Sequence, residues 1–390
     1  MKTLVDIVNF NADASCLSAL KWINTLAGGK KSNFCQWLNL YIKNNKRVSL
    51  GLTGASIADL NIYNHEAIDI INDHRQIFEI ILRPFSHDIA LLRTHSGFYI
   101  NYNYGKRTII KEFQNYTNYF LPPEFMCTSS QIQRLTNEDV DGIFINTSRF
   151  NKEIQQRISH RPYYVKGLFG SKLKCLPLCG DLTDAYLFAL QLYEYNSWGK
   201  SIEKNPCDCV YSWRDGESVF LLPDGIKREN FWLSNESNNF QRLHLKDLKI
   251  NCISNESKDD EMIKTYPVHQ FTSWIKEMRM LWFINRVQNI EEKLESLSIN
   301  ELYLWLHVIN SDILSAVEKN SPIIKLRSDP DSKWYMEYTI KRSERGFDGE
   351  EYLELLENYS NNTMNYINSS NEPHILKLMG RVKYLKTIDN

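Results

Sequence analysis

The sequence predicts an α/β fold: a closed (β/α)7 barrel followed by a C-terminal helical region. Three observations predict it. Before residue 215, seven short β-rich runs alternate with helical stretches, the pattern of repeated βα units. Those runs are continuously apolar rather than alternating, as in a parallel sheet buried on both faces. Polar residues then collect where the runs end, at the rim where βα barrels carry their chemistry.

The expected strands are Leu4–Phe10, Val48–Thr53, Phe78–Phe85, Tyr119–Phe125, Gly142–Thr147, Leu173–Leu178 and Cys209–Trp213. Helical stretches fall between them, at Ala14–Ala27, Asn33–Lys43, Asn64–Asp73 and Leu182–Tyr195. Asn9 and Asn11 follow the first strand, Thr53 ends the second, and His87 and Asp88 follow the third. Glu124 ends the fourth, Asn146 the fifth, and Asp215 follows the seventh. Seven strands with polar ends fit a closed barrel better than an open doubly wound sheet. Beyond residue 225 the texture changes, with polar loop-like stretches at Asn235–Asn239 and Asn251–Asp260. From His269 the apolar spacing becomes helical, through Trp274, Met278, Leu281, Ile284, Val287 and Leu294. Leu302–Val317, Gly349–Leu356 and His374–Leu385 continue it. The division expected is therefore a barrel over 1–264 and a helical region over 265–390 packed on it.

Composition narrows the function classes. The 390 residues carry 46 Lys and Arg against 47 Asp and Glu, a net charge of -1. A dedicated nucleic-acid binder shows a basic excess, so none is expected. No charge-free stretch of 18 apolar residues is present, so no membrane partner is expected either. Asp6 interrupts the first apolar run, which makes a poor signal peptide and points to the cytoplasm. Eight cysteines are too few for a disulfide scaffold. Cys175, Cys179, Cys207 and Cys209 lack zinc spacing and read as small buried residues. Gly28-Gly29-Lys30 lacks the spacing of a phosphate loop.

Two segments carry the sharpest chemical signal. In Leu121-Pro122-Pro123-Glu124-Phe125-Met126 the prolines hold the chain extended, so Glu124 should project from a strand end into a cleft. In Trp213-Arg214-Asp215-Gly216-Glu217-Ser218 a strand ends in Trp and a charged turn follows. Gly216 would permit a positive φ there, and Asp215 would emerge at the barrel mouth. Trp213 and Trp232 would offer stacking surface for a sugar ring. Two carboxylates from different strands facing one cleft are what glycosidic chemistry needs, one as nucleophile or base and one as acid. Their surroundings must push their pKa values apart. Arg214, Arg228 and Arg242 form a basic group near Asp215. Solvated charge is the expected reading for it, with two others open: fixing Asp215 or Glu217, and binding an anionic sugar.

The order of these motifs resembles glycoside hydrolase family 57, whose members act mainly on α-glucans. Leu121–Met126 is similar to the family segment ending in Pro-Glu, which implies Glu124 as nucleophile. Ser212–Val219 is similar to its Asp-Gly-Glu segment, which implies Asp215 as acid/base. Gly51–Gly54, Arg83–Leu92 with His87, and Asn310-Ser311-Asp312 resemble further family segments. The resemblance covers most of residues 4–320 and implies a (β/α)7 barrel and a retaining mechanism; a carboxylate mechanism calls for no cofactor or metal. Asn11, His87, Trp213, Glu217 and Asp312 are the candidate substrate contacts, and a carbohydrate is the partner expected. The first motif departs from the family: Asn9-Phe10-Asn11-Ala12-Asp13 stands where a His-containing stretch is expected. Asn can hydrogen-bond a sugar hydroxyl but cannot titrate near neutral pH. Two rivals remain. Asp13, His87 and Asp88 would serve a metal-dependent polysaccharide deacetylase, and a non-catalytic carbohydrate-binding barrel would need no turnover.

Overall fold

A computed structural model describes residues 2–12, 19–146, 161–179, 195–222, 224–236, 239–252, 278–310 and 349–389. Among the described residues nine strands occur in chain order: Lys2–Phe10 (β1), Val48–Leu52 (β2), Phe78–Leu82 (β3), Tyr116–Phe120 (β4), Gly142–Asn146 (β5), Tyr163–Lys166 (β6), Lys172–Leu178 (β7), Cys209–Asp215 (β8) and Phe240–Arg242 (β9). Seven of them run β1-β2-β3-β4-β5-β7-β8 and return to β1, all in parallel, so the sheet closes into a (β/α)7 barrel. These seven are the strands expected from the apolar runs.

The two added strands fill edges that the barrel leaves open. β2 covers only Ile7–Phe10 of β1, and β9 pairs with the remaining Lys2–Leu4. β6 forms an antiparallel hairpin with the start of β7. Both are too short to stand out in the sequence.

Proline sets two strand ends that the apolar runs overran. β3 stops at Leu82, before Pro84, and β4 spans Tyr116–Phe120 rather than Tyr119–Phe125. Pro122 and Pro123 have no N–H to give the ladder, so the chain leaves the sheet and turns at Pro123–Phe125. Glu124 therefore sits in a turn beyond β4, not on its last residue.

Two-residue periodicity sorts the side chains. Val5 and Ile7 of β1, Ile81 of β3, Tyr119 and Leu121 near β4, Phe144 of β5, Leu176 and Leu178 of β7, and Tyr211 of β8 pack together inside the barrel. Leu4, Val8 and Phe10, Leu50 and Leu52, and Ile80 and Leu82 face outward onto the helices, against Trp22, Phe34, Trp37 and Leu38. Helix starts use the capping chemistry of the sequence. Ser32 accepts from the Cys35 N–H ahead of helix Asn33–Lys43. Thr53 does the same for Ser56 ahead of helix Gly54–Tyr63. A polar residue at the end of β2 is thus accounted for as a helix cap.

The C-terminal part is helical, as expected: Met278–Glu291, Ile299–Val308, Gly349–Glu357, Asn361–Ser369 and Pro373–Asp389. Met280, Phe283, Ile284, Val287, Trp305 and Leu378 pack with Ala55, Ala58, Phe85, Ile89 and Met126 from the barrel. Arg381 grips Asp59 with two hydrogen bonds, Nε to Oδ1 at 2.9 Å and Nη2 to Oδ2 at 2.7 Å. The helical part thus docks on helix Gly54–Tyr63 and on the segments leaving β3 and β4, beside the barrel mouth. The expected boundary at 264/265 lies outside the described residues. So do all but the last residue of the expected helix Leu182–Tyr195 and most of the polar stretch after Asn251. No helix among the described residues is long and apolar enough to cross a membrane.

Candidate active site

The rim of the barrel gathers residues from several strand ends. On β1 the inward row Val5, Ile7 continues to Asn9; on β8 the row Tyr211, Trp213 continues to Asp215. Asn9 and Asp215 are register partners across these strands. The Asn9 Nδ2 donates to Asp215 Oδ1 at 3.5 Å. Asp215 is exposed to solvent at the end of β8. Desolvation by the surrounding protein pushes its carboxyl above the usual range, while the Asn9 amide and the Arg83 guanidinium pull the other way.

Glu124 stands across the mouth, in the turn after β4. Its φ of 52° and that of Phe125, 56°, lie in the left-handed region that non-glycine residues rarely adopt. Backbone strain of this kind persists where surrounding structure enforces it, and it collects at functional sites. Here the prolines lead the chain in, and Met126 is fully buried behind it. The Glu124 Oε1 lies 3.7 Å from Nε2 of His87, an ion pair when His87 is protonated. His87 comes from the segment after β3. Trp213 meets the ring of Phe125 at 4.7 Å, which ties the β8 end to the Glu124 turn.

Glu217 is buried, and its Oε1 accepts the backbone N–H of Asn11. Asn11 is itself buried, and its Oδ1 accepts from Asn310 Nδ2 at 3.4 Å. These two candidate contacts therefore hold the β1 end to the β8 end and to the helical part. Asp312 and Asp13 lie outside the described residues. Lys377, from the last helix, donates to the carbonyl of Ala12 at 2.8 Å and reinforces the same rim.

The structure corrects several expectations. Gly216 has φ -68°, not a positive value. A side chain is excluded there instead by Phe10, whose ring would overlap an added Cβ. Trp232 is buried against Trp198 at 4.7 Å and offers no surface at the mouth. Arg214 and Arg242 are neither solvated nor beside Asp215. Arg214 lies one residue before Asp215 and so points to the opposite face of the sheet. There Arg214 pairs with Asp6 and Glu229 at 3.0 Å each, and Arg242 pairs with Asp6 at 2.6 Å. Burial would raise the Asp6 carboxyl, but the two guanidinium groups outweigh it and hold it at about 2. Of the four cysteines singled out, Cys175 and Cys207 are buried and Cys179 and Cys209 are half-buried.

Sequence reasoning missed Arg83 as a site residue. It continues the inward row Glu79, Ile81 and is 2% exposed. The helix His95–Glu112 approaches so closely that a Cβ at Gly105 would overlap the Arg83 carbonyl oxygen. Glu217, Asp215, Glu124 and Asp88 all act on its charge. The signal was present as an Arg two residues past an inward-facing Ile, ahead of Pro84.

Asp88 is buried at the junction with the helical part, where it bridges to Asn310. Burial raises its carboxyl to about 7; Arg93 and a hydrogen bond from Asn101 oppose this, and Glu291 adds to it. Its folded pKa lies above its ordinary value of 3.8, so the folded state holds a proton that the unfolded chain has lost. This group therefore costs stability progressively as pH rises from about 4 to about 7. Asp88→Asn should remove that slope. The variant's gain over wild type in urea unfolding should be larger at pH 8 than at pH 5 by at least about 1 kcal/mol. An equal gain at both pH values would show that Asp88 does not titrate in this window. Among the described residues no three His, Cys, Asp or Glu side chains converge as a metal site.

A closed seven-stranded parallel barrel with carboxylates on its rim and helices docked beside the mouth defines the structural class. No protein-family model and no curated protein matches the sequence. Solved structures do match in fold. A 4-α-glucanotransferase from Thermococcus litoralis aligns with TM-score 0.55 and 10% identity, over 79% of this chain and 55% of that one. The chain thus spans about half the length of that protein. An α-amylase from Thermotoga maritima aligns with TM-score 0.54 and 8% identity, over 99% of this chain and 97% of that one. An α-mannosidase from Enterococcus faecalis V583 aligns with TM-score 0.53 and 10% identity, over 95% and 43%. At such identities the likeness is one of fold.

Proposed function

We propose that this protein is a carbohydrate-active enzyme of the glycoside hydrolase family 57 type, acting on an oligo- or polysaccharide by a retaining mechanism. The observation that carries the reading is the pair Glu124 and Asp215. They leave different strands, β4 and β8, and the rings beside them, Phe125 and Trp213, meet at 4.7 Å. Desolvation by the surrounding protein favours the protonated form of Asp215, which suits an acid that must give a proton to a leaving oxygen. The fold likeness to a glucanotransferase and an α-amylase supports an α-glucan as the first substrate to try.

In the first step a Glu124 carboxylate oxygen bonds to the anomeric carbon while the glycosidic C–O bond breaks. Asp215 gives its proton to the departing oxygen. In the second step Asp215, now ionised, takes a proton from water or from a sugar hydroxyl, and that oxygen displaces Glu124. Water gives hydrolysis and a hydroxyl gives transfer. Asn9 keeps Asp215 oriented through both steps.

The test is incubation with α-1,4-linked glucan oligosaccharides, followed by proton NMR of the first-formed products. Expected is α-configured product, from two inversions at one carbon, unaffected by a chelator. First-formed β product would overturn retention. Turnover that a chelator abolishes would favour metal-dependent chemistry, and ligand binding without turnover would favour a non-catalytic barrel.

A further inference from the structure

We propose that Arg83 is the positioning cation of this site, a buried guanidinium that keeps the negative charge on Glu124 and orders proton occupancy among the mouth carboxyls. The inference rests on the paired-carboxylate reading above and gives a role in that site to Arg83, the first residue after β3.

The argument begins with what the other buried arginines do. Arg214, Arg242 and Arg381 each make direct ion pairs, with Asp6 and Glu229, with Asp6 and Glu236, and with Asp59. A buried cation lacking such compensation is costly, which is why buried guanidinium groups are normally pinned to a carboxylate. Arg83 is as buried as they are, yet its Nε and Nη2 have no hydrogen-bond partner among the described residues. Four acids, Glu217, Asp215, Glu124 and Asp88, stand close enough to favour its charged form.

Those acids arrive from three directions. Asp88 comes from the segment after β3, Glu124 from the turn after β4, and Asp215 and Glu217 from the end of β8. His87, 3.7 Å from Glu124, is the other titratable group on the β3 side. A cation bonded directly to Glu124 would occupy the oxygens that must attack carbon. A cation held nearby favours the ionised nucleophile by charge alone. Arg is suited to this because it stays charged across the range in which the carboxyls and His87 titrate. Burial weakens even that charge, pulling Arg83 down to about 10, and the four acids oppose the pull.

The consequence has a sign. A nearby positive charge lowers carboxyl pKa values, so its loss raises them. Glu124 must be ionised, so the acid limb of a pH–rate profile should move to higher pH in Arg83→Met. Asp215 must start protonated, so the alkaline limb should move the same way. A residue with a merely structural role would lower the profile without displacing it.

The experiment is carbon NMR titration of side-chain carboxyls in the full-length protein, assigned through Glu124→Gln and Asp215→Asn. In R83M the Glu124 and Asp215 midpoints should rise by about one unit or more. In R83K, which keeps the charge, they should stay closer to wild type. Unchanged midpoints in folded R83M overturn the proposal. Should R83M fail to fold, R83K decides alone: the introduced ammonium should lose about one pKa unit when Glu124→Gln is added. No response overturns the proposal. Because the titration needs no turnover, its failure leaves the glycosidase reading standing. Turnover surviving Glu124→Gln would sink that reading while leaving the charge coupling measurable.

Discussion

Glu124→Gln should abolish turnover of any glycan that the wild-type protein cleaves or transfers. The amide keeps the size of the side chain and its place beyond Pro122 and Pro123, but it lacks the anionic oxygen that must bond to the anomeric carbon. Folding should be little changed, because Glu124 is half-buried and its ion-pair partner, His87, stands 3.7 Å away. Loss of turnover with an unchanged unfolding midpoint is therefore the expected pair of results. Added azide provides a sharper readout. In Glu124→Ala, a small anion can enter the space that the carboxylate leaves and attack the anomeric carbon from the face that Glu124 used. With an activated α-glycoside, a single displacement then gives a β-glycosyl azide. Full activity in Glu124→Gln would remove Glu124 from the mechanism. Asp215→Asn should behave differently, losing about 10²- to 10⁴-fold as a missing acid/base does. Substrates with good leaving groups should lose less in their first step, since they need no proton.

Arg214→Met should destabilise the fold by about 3–5 kcal/mol, the usual cost of removing one partner from a buried ionic network. That is a large part of the roughly 5–15 kcal/mol available to a domain. Arg214 donates to Asp6 Oδ2 and Glu229 Oε1 at 3.0 Å each, and also to the Tyr41 hydroxyl. Arg242 remains for Asp6, at 2.6 Å, so the network is weakened rather than erased. The pH dependence identifies the cause. Asp6 is held at about 2, below its ordinary 3.8, so its contribution is present above about 4 and is lost as pH falls towards 2. With Arg214 gone, Asp6 protonates more readily, and the gap between variant and wild type should shrink over that acid window. Urea unfolding at pH 7 and pH 3 measures both quantities. A cost below about 1 kcal/mol at pH 7 would mean that Arg242 alone suffices.

Neighbouring positions differ in how legible they are from sequence. Asp215 is legible because a charged turn ends an apolar run. Arg214, adjacent to it, reads with Arg228 and Arg242 as a surface feature. The difference is one of phase. Strands buried on both faces carry apolar residues at odd and even positions alike, so their sequence does not say which set faces the interior. The closed barrel settles it. Val5, Ile7 and Tyr211 point inward, and Asp215 follows on that face while Asp6 and Arg214 fall on the other. The same phase carries Arg83 into the mouth after Ile81. Long-range neighbours settle further points: Phe10 excludes a side chain at Gly216, and Trp198 covers Trp232.

By itself the sequence determined the seven strands, the barrel they form, the helical character of the C-terminal part, and Glu124 and Asp215 as rim carboxyls. Those features rest on local patterns: apolar runs of strand length, helical spacing, and prolines and charged turns that end a run. The tertiary structure alone decided which charges are buried together and which face the mouth. That depends on strand register around a closed sheet and on helices docking from hundreds of residues away, as Lys377 does on Ala12. No window of neighbouring residues carries that information.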